Sequence, residues 1–108
     1  MMRSVFVSGP YTAETREERD ENIYRAECVA QRLARDGYAV FCPHTQTLGW
    51  EDKTDLPYRY YLTNSLYWLA KCDEVVMLPG WQESHGAQIE HTVAGALGLE
   101  ITYLSEVF

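Results

Sequence analysis

The 108-residue sequence is poor in positive charge, with nine lysines and arginines against sixteen aspartates and glutamates and a formal net charge of −7. From residue 55 to the end the only cations are Arg59 and Lys71, set against seven carboxylates. A surface of that sign repels a phosphate backbone and excludes a nucleic-acid polymer as the expected partner. It does not exclude one small nucleotide, because backbone N–H groups at a helix N-terminus hold a phosphate without lysine or arginine. Cysteine is scarce too. Cys28, Cys42 and Cys72 are an odd, scattered set without the spacing of a disulfide framework or a zinc site, as expected for reduced thiols in a cytoplasmic protein. No apolar run approaches the ~18 residues that a membrane span requires. The opening Met1-Met2-Arg3-Ser4 lacks the apolar core of a secretory signal, so secretion is not expected. Repeats, linkers and low-complexity tracts are also missing, and a chain of this length encloses one core, so one domain over residues 1–108 is expected.

What is present has a legible period. Val5-Phe6-Val7 fills an apolar run over residues 3–8 that Gly9-Pro10 ends, a first strand. Over residues 17–36 Ile23, Ala26, Val29, Ala30, Leu33 and Ala34 recur at three and four, and Gly37 stops the helix they predict. Residues 38–41 form a second short strand, and residues 42–56 are polar and irregular, a long loop of the kind that carries function. Leu62, Leu66 and Leu69 with Tyr58, Tyr61 and Trp68 have helical spacing, and residues 73–78 read as a buried strand closed by Pro79-Gly80. Ser84 opens a helix expected to bury Ile89, Val93, Ala94 and Leu97 and to stop at Gly98, before a last strand over residues 100–104. Strands alternating with helices predict an α/β protein: a three-layer, doubly wound sandwich, flavodoxin- or Rossmann-like, with a mainly parallel sheet of four or five strands. Ligands in such sheets bind beyond the carboxyl ends of the strands.

Two loops should open at that crevice. The first, Ser8-Gly9-Pro10-Tyr11-Thr12-Ala13, offers hydroxyls and a glycine to a sugar or phosphate, though it lacks the spacing of a P-loop or dinucleotide fingerprint and also reads as an ordinary tight turn. In the second, Ser84, Gly86 and Ala87 stand where a helix begins, and Glu90 lies six residues past Ser84. A solvated helix carboxylate is the plain alternative for Glu90. At the mouth of a crevice, however, an ionised glutamate suits attack on an anomeric carbon, forming a covalent glycosyl-enzyme with no metal and no cofactor. Asp73 reads as structural, His85 and His91 as partly exposed, and His44 with Cys42 as a poor metal pair. The acidic run over residues 17–21 reads as a solvated face. Trp50, Tyr58, Tyr60 and Tyr61 suit stacking on a base, core packing or a subunit interface alike.

The segments Val5-Phe6-Val7-Ser8-Gly9-Pro10-Tyr11, Leu66-Tyr67-Trp68-Leu69-Ala70-Lys71-Cys72-Asp73 and Ser84-His85-Gly86-Ala87-Gln88-Ile89-Glu90, with Ala94 and Gly98, resemble the nucleoside 2-deoxyribosyltransferase-like proteins nearly end to end. The nearest resemblance is to the short DUF4406-like branch common in bacteria and phages. The resemblance implies that Glu90 is the nucleophile on the sugar's anomeric carbon and that Ser84 contacts a 5′-phosphate, where transferases carry an aspartate. It also implies that Ser8, Gly9, Pro10 and Tyr11 line the sugar and phosphate site. Two positions depart from the family: Ser65 stands where relatives have an aspartate that handles the base, and Phe6 where they have a tyrosine. The expected partner is a small nucleoside or nucleotide, the expected assembly a homodimer or higher homo-oligomer, and the expected activity N-glycosidase or deoxyribosyltransferase. A nucleotide-sensing module that has lost the chemistry, or an enzyme cleaving an NAD-type bond, are the alternatives.

Overall fold

The computed structural model describes residues 2–106. Its four strands, β1 (Ser4–Ser8), β2 (Ala39–Phe41), β3 (Glu74–Met77) and β4 (Glu100–Tyr103), form one sheet in the order β2-β1-β3-β4. Every pairing is parallel, with Phe6 beside Phe41 and Val75, and Val76 beside Thr102. Because side chains alternate along a strand, β1 serves two cores. Val5 and Val7 join Val76 and Leu78 against Ala26 and Val29 of helix α1 (Arg16–Arg35). Phe6 joins Val75 and Met77 on the other face, against Leu69 of α3 (Tyr58–Leu69) and Ala87 and Ala94 of α4 (His85–Ala96). The result is the expected three-layer sandwich. Phe6, Leu69 and Met77 are wholly removed from water, each worth about 1.5–3 kcal/mol of burial.

This topology fixes where a ligand can sit. The chain steps from β1 to β2 on one side and from β2 across to β3 on the other, and right-handed crossovers in opposite directions put their helices on opposite faces. The reversal opens a crevice between the carboxyl ends of β1 and β3. Helix α1 is capped by Thr15, whose hydroxyl accepts from the Glu18 amide at 3.1 Å. It ends at Gly37, whose φ of +99° suits a residue without a Cβ.

Two expectations are corrected. Residues 42–56 are not irregular throughout: they hold the short helix α2 (Pro43–Gln46), with Pro43 pre-set at its first position, and a 3₁₀ turn, Trp50–Asp52. Leu97 is 52% exposed rather than buried, because α4 ends at Ala96 and Leu97 caps it beyond the covered stripe. Cys28, Cys42 and Cys72 are free thiols, and no described helix is long and apolar enough to cross a membrane.

Candidate active site

Helix α4 begins where β3 has delivered the chain to the crevice, and Ser84 caps it by accepting the Ala87 amide at 3.3 Å. Its buried stripe is Ala87, Glu90 and Ala94, so two short side chains flank one carboxylate. Only 8% of Glu90 is exposed. Its partner is Ser8, whose hydroxyl donates to Oε1 at 2.6 Å. Ser8 is fully buried and lies two residues past Phe6, which turns it to the same face of the sheet, toward α4. Loss of water around Glu90 pushes its carboxyl up to about 7, while the Ser8 hydrogen bond pulls the other way. A carboxylate poised near neutrality in a crevice is a marker of chemistry.

Glu90 stands in the wall of a cavity of about 200 Å³. Gly9, Tyr11, Ser65, Ser84, Gly86 and Ala87 line it as well. Ser8 reaches the cavity through Glu90. Pro10 stands behind it, its carbonyl accepting the Nε2 proton of His44 at 2.8 Å. Of the four aromatic candidates, Tyr58 and Tyr61 line the cavity and Trp50 and Tyr60 do not. The Tyr58 hydroxyl lies 3.6 Å from where a Cβ on Gly86 would sit, an ordinary contact distance that brings Tyr58 against the helix start. Asp73 lies at the opposite end of the sheet and accepts from the Ser4 amide and hydroxyl at 2.9 and 3.2 Å, as a structural carboxylate does.

Several residues of the cavity escaped the sequence reading. His44 is buried, and loss of water pushes it below its ordinary value, which keeps it neutral with its Nδ1 toward the Cys42 thiol. Glu51, from the 3₁₀ turn, accepts from the Tyr11 hydroxyl at 2.6 Å and pairs with Arg19 Nη1 at 2.9 Å. Arg19 therefore leaves the acidic run, whose four carboxylates stay exposed, and turns toward the cavity wall. Gln46 and Asn64 join across the rim, the Asn64 amide donating at 3.0 Å. The available signal was the length of the loop over residues 42–56, which supplies His44, Gln46 and Glu51 together.

Gly9 has a packing reason independent of any ligand. A Cβ there would meet Leu78 Cβ at 2.7 Å. Gly9→Ala is expected to lower stability by about 1–3 kcal/mol, as overpacking does. A second change, Leu78→Ala, should recover less than it costs in the parent, and thermal unfolding of the four proteins of the cycle measures both effects. If Gly9→Ala melts like the parent, the packing account of this glycine fails.

Residues 3–103 match the family model described as "Domain of unknown function (DUF4406)". No curated protein matches the chain in sequence. Among solved structures the fold is similar to the 2-deoxyribosyltransferase of the psychrotolerant bacterium Bacillus psychrosaccharolyticus, with a TM-score of 0.65 and 18% identity. That superposition covers 97% of this chain and 76% of the Bacillus enzyme.

Proposed function

The chain belongs to the DUF4406 family, and from the cavity its fold builds we propose that it is an N-glycosidase or 2-deoxyribosyltransferase acting on a (deoxy)nucleoside or its 5′-monophosphate. One observation carries this reading: Glu90 is a buried carboxylate at the crevice wall, aimed by a fully buried hydroxyl. The similarity to a 2-deoxyribosyltransferase supports it. Ionised Glu90 attacks the anomeric carbon, the base departs, and water or a second base resolves the glycosyl–Glu90 ester. Ser84, Gly86 and Ala87 at the α4 N-terminus take the sugar or its 5′-phosphate. Gly9 and Tyr11 contact the sugar with Pro10 behind them, Ser65 faces the base, and Tyr58 and Tyr61 stack on it. No cofactor enters this scheme. One cytoplasmic domain suffices for it.

The deciding assay incubates the protein with deoxynucleosides, ribonucleosides, their monophosphates and NAD, and follows free base by chromatography. Base release from at least one of them is expected. Saturable binding without release from any would replace the enzyme by a sensing module.

A homo-oligomer is part of the same reading. Tyr60, Tyr67, Trp68 and Leu97 are 37–57% exposed, a large apolar display for so small a protein. Light scattering at micromolar concentration should give at least twice the 12.5 kDa chain mass. A monomer mass throughout that range would count against it.

A further inference from the structure

Resting on the glycosidase reading, the geometry points to a narrower substrate class: nucleosides whose base carries a positive charge, such as pyridinium ribosides and N-alkylated purine nucleosides. Among the described residues the cavity lining holds two carboxylates, Glu90 and Glu51, and no lysine or arginine. Arg19 meets Glu51 without lining the cavity. Glu90 has lost most of its water and has one hydroxyl in exchange, with no cation beside it. A buried carboxylate in that condition lacks a countercharge, and a cationic base brought against the wall supplies one. Tyr58 and Tyr61 add aromatic faces, which favour a cation over a neutral ring.

The leaving group leads to the same class. A neutral base departs with the electron pair of the broken C–N bond and needs a proton, whereas a cationic base takes that pair and leaves neutral. The His44 Nε2 proton goes to the Pro10 carbonyl and the Tyr11 hydroxyl proton to Glu51. Among the described lining residues, the hydroxyl protons left uncommitted, such as those of Tyr58 and Ser84, belong to phenols and alcohols, which are weak acids for a leaving base. Ser65 offers only an alcohol, and Glu90 cannot attack and protonate at once. With a cationic base the sequence balances without an acid. A Glu90 oxygen bonds to C1′ as the C1′–N bond breaks toward the ring nitrogen, cancelling its charge. Water then attacks C1′, the ester bond returns its pair to Glu90, and one proton passes to solvent per turnover.

Two measurements test this. Calorimetric titration at pH 8 compares 1-methylnicotinamide, a cation, with neutral nicotinamide. The cation should bind at least tenfold tighter, and Glu90→Gln, which keeps the size and removes the charge, should abolish the difference. Equal binding in the parent, or a preference that survives in Glu90→Gln, overturns the proposal. The second measurement sets base release from nicotinamide riboside and 7-methyl-2′-deoxyguanosine against 2′-deoxyguanosine, each relative to its uncatalysed rate. An advantage of tenfold or more for the cations is expected. Equal acceleration of the neutral nucleoside overturns the proposal and leaves the glycosidase reading intact. Release from none of them, with the binding preference retained, instead removes the glycosidase reading and keeps the charge preference.

Discussion

Glu90→Gln is expected to cut turnover by about three orders of magnitude or more and, at the same time, to raise the melting temperature at pH 8. The first effect follows from the proposed chemistry, since an amide oxygen is a far weaker nucleophile than a carboxylate and no second carboxylate takes its place in the α4 stripe. The second follows from burial. The carboxyl titrates at about 7 in the folded chain against an ordinary 4.5. Between those values the folded state therefore binds more protons than the unfolded state. Stability is full below pH 4.5 and falls as pH rises toward 7, by about 3 kcal/mol once Glu90 is fully ionised. Glutamine carries no charge to desolvate and can still accept from Ser8, so the variant escapes that loss. Its gain should be absent at pH 4, grow through the window from 4.5 to 7 and level off above it. Melting curves of parent and variant across that range measure the difference, and a constant offset at all pH values would show that the charge of Glu90 is not what destabilises the fold. A site that gives up stability to hold an unpaired carboxylate is the pattern expected where a charge is kept for chemistry.

The two central strands and the main helices were legible because their patterns are long or buried on both faces. The 20 residues of α1 repeat their apolar positions often enough to define a stripe, and Glu74–Met77 is buried at every position. Helix α2 was not legible. Four residues give no period, and its stability comes from packing and from the His44 bond to Pro10 rather than from local preference. Arg19 was hidden by its neighbours, since nothing in an acidic run says that its one cation will fold inward toward a glutamate 32 positions away. The Ser8–Glu90 bond spans 82 positions and is invisible to any local rule. Half of it was nonetheless within reach. Alternation along β1 puts Ser8 on the face of Phe6, the face that α4 covers.

Its hydrogen bond to Glu90 makes Ser8 a positioning residue, and Ser8→Ala is expected to lower kcat/KM at pH 7 by about 5–50-fold while leaving it near the parent value at about pH 10. A hydrogen bond to a charged group is worth about 1.5–3 kcal/mol, and 1.36 kcal/mol corresponds to about one pKa unit. The Ser8 donor favours the ionised carboxylate, so without it burial acts alone and the Glu90 carboxyl rises above about 7. The attacking form is then scarce at neutral pH and returns as the pH climbs. The acid limb of the pH profile of kcat/KM should move up by about one to two units, with the plateau little changed. A residue that touched the substrate directly would behave otherwise, because losing a binding contact lowers kcat/KM at every pH and leaves the limb in place. The profile of Ser8→Ala beside the parent therefore separates the two roles. A uniform loss without displacement would assign Ser8 to the substrate, and a displaced limb with a preserved plateau would assign it to Glu90.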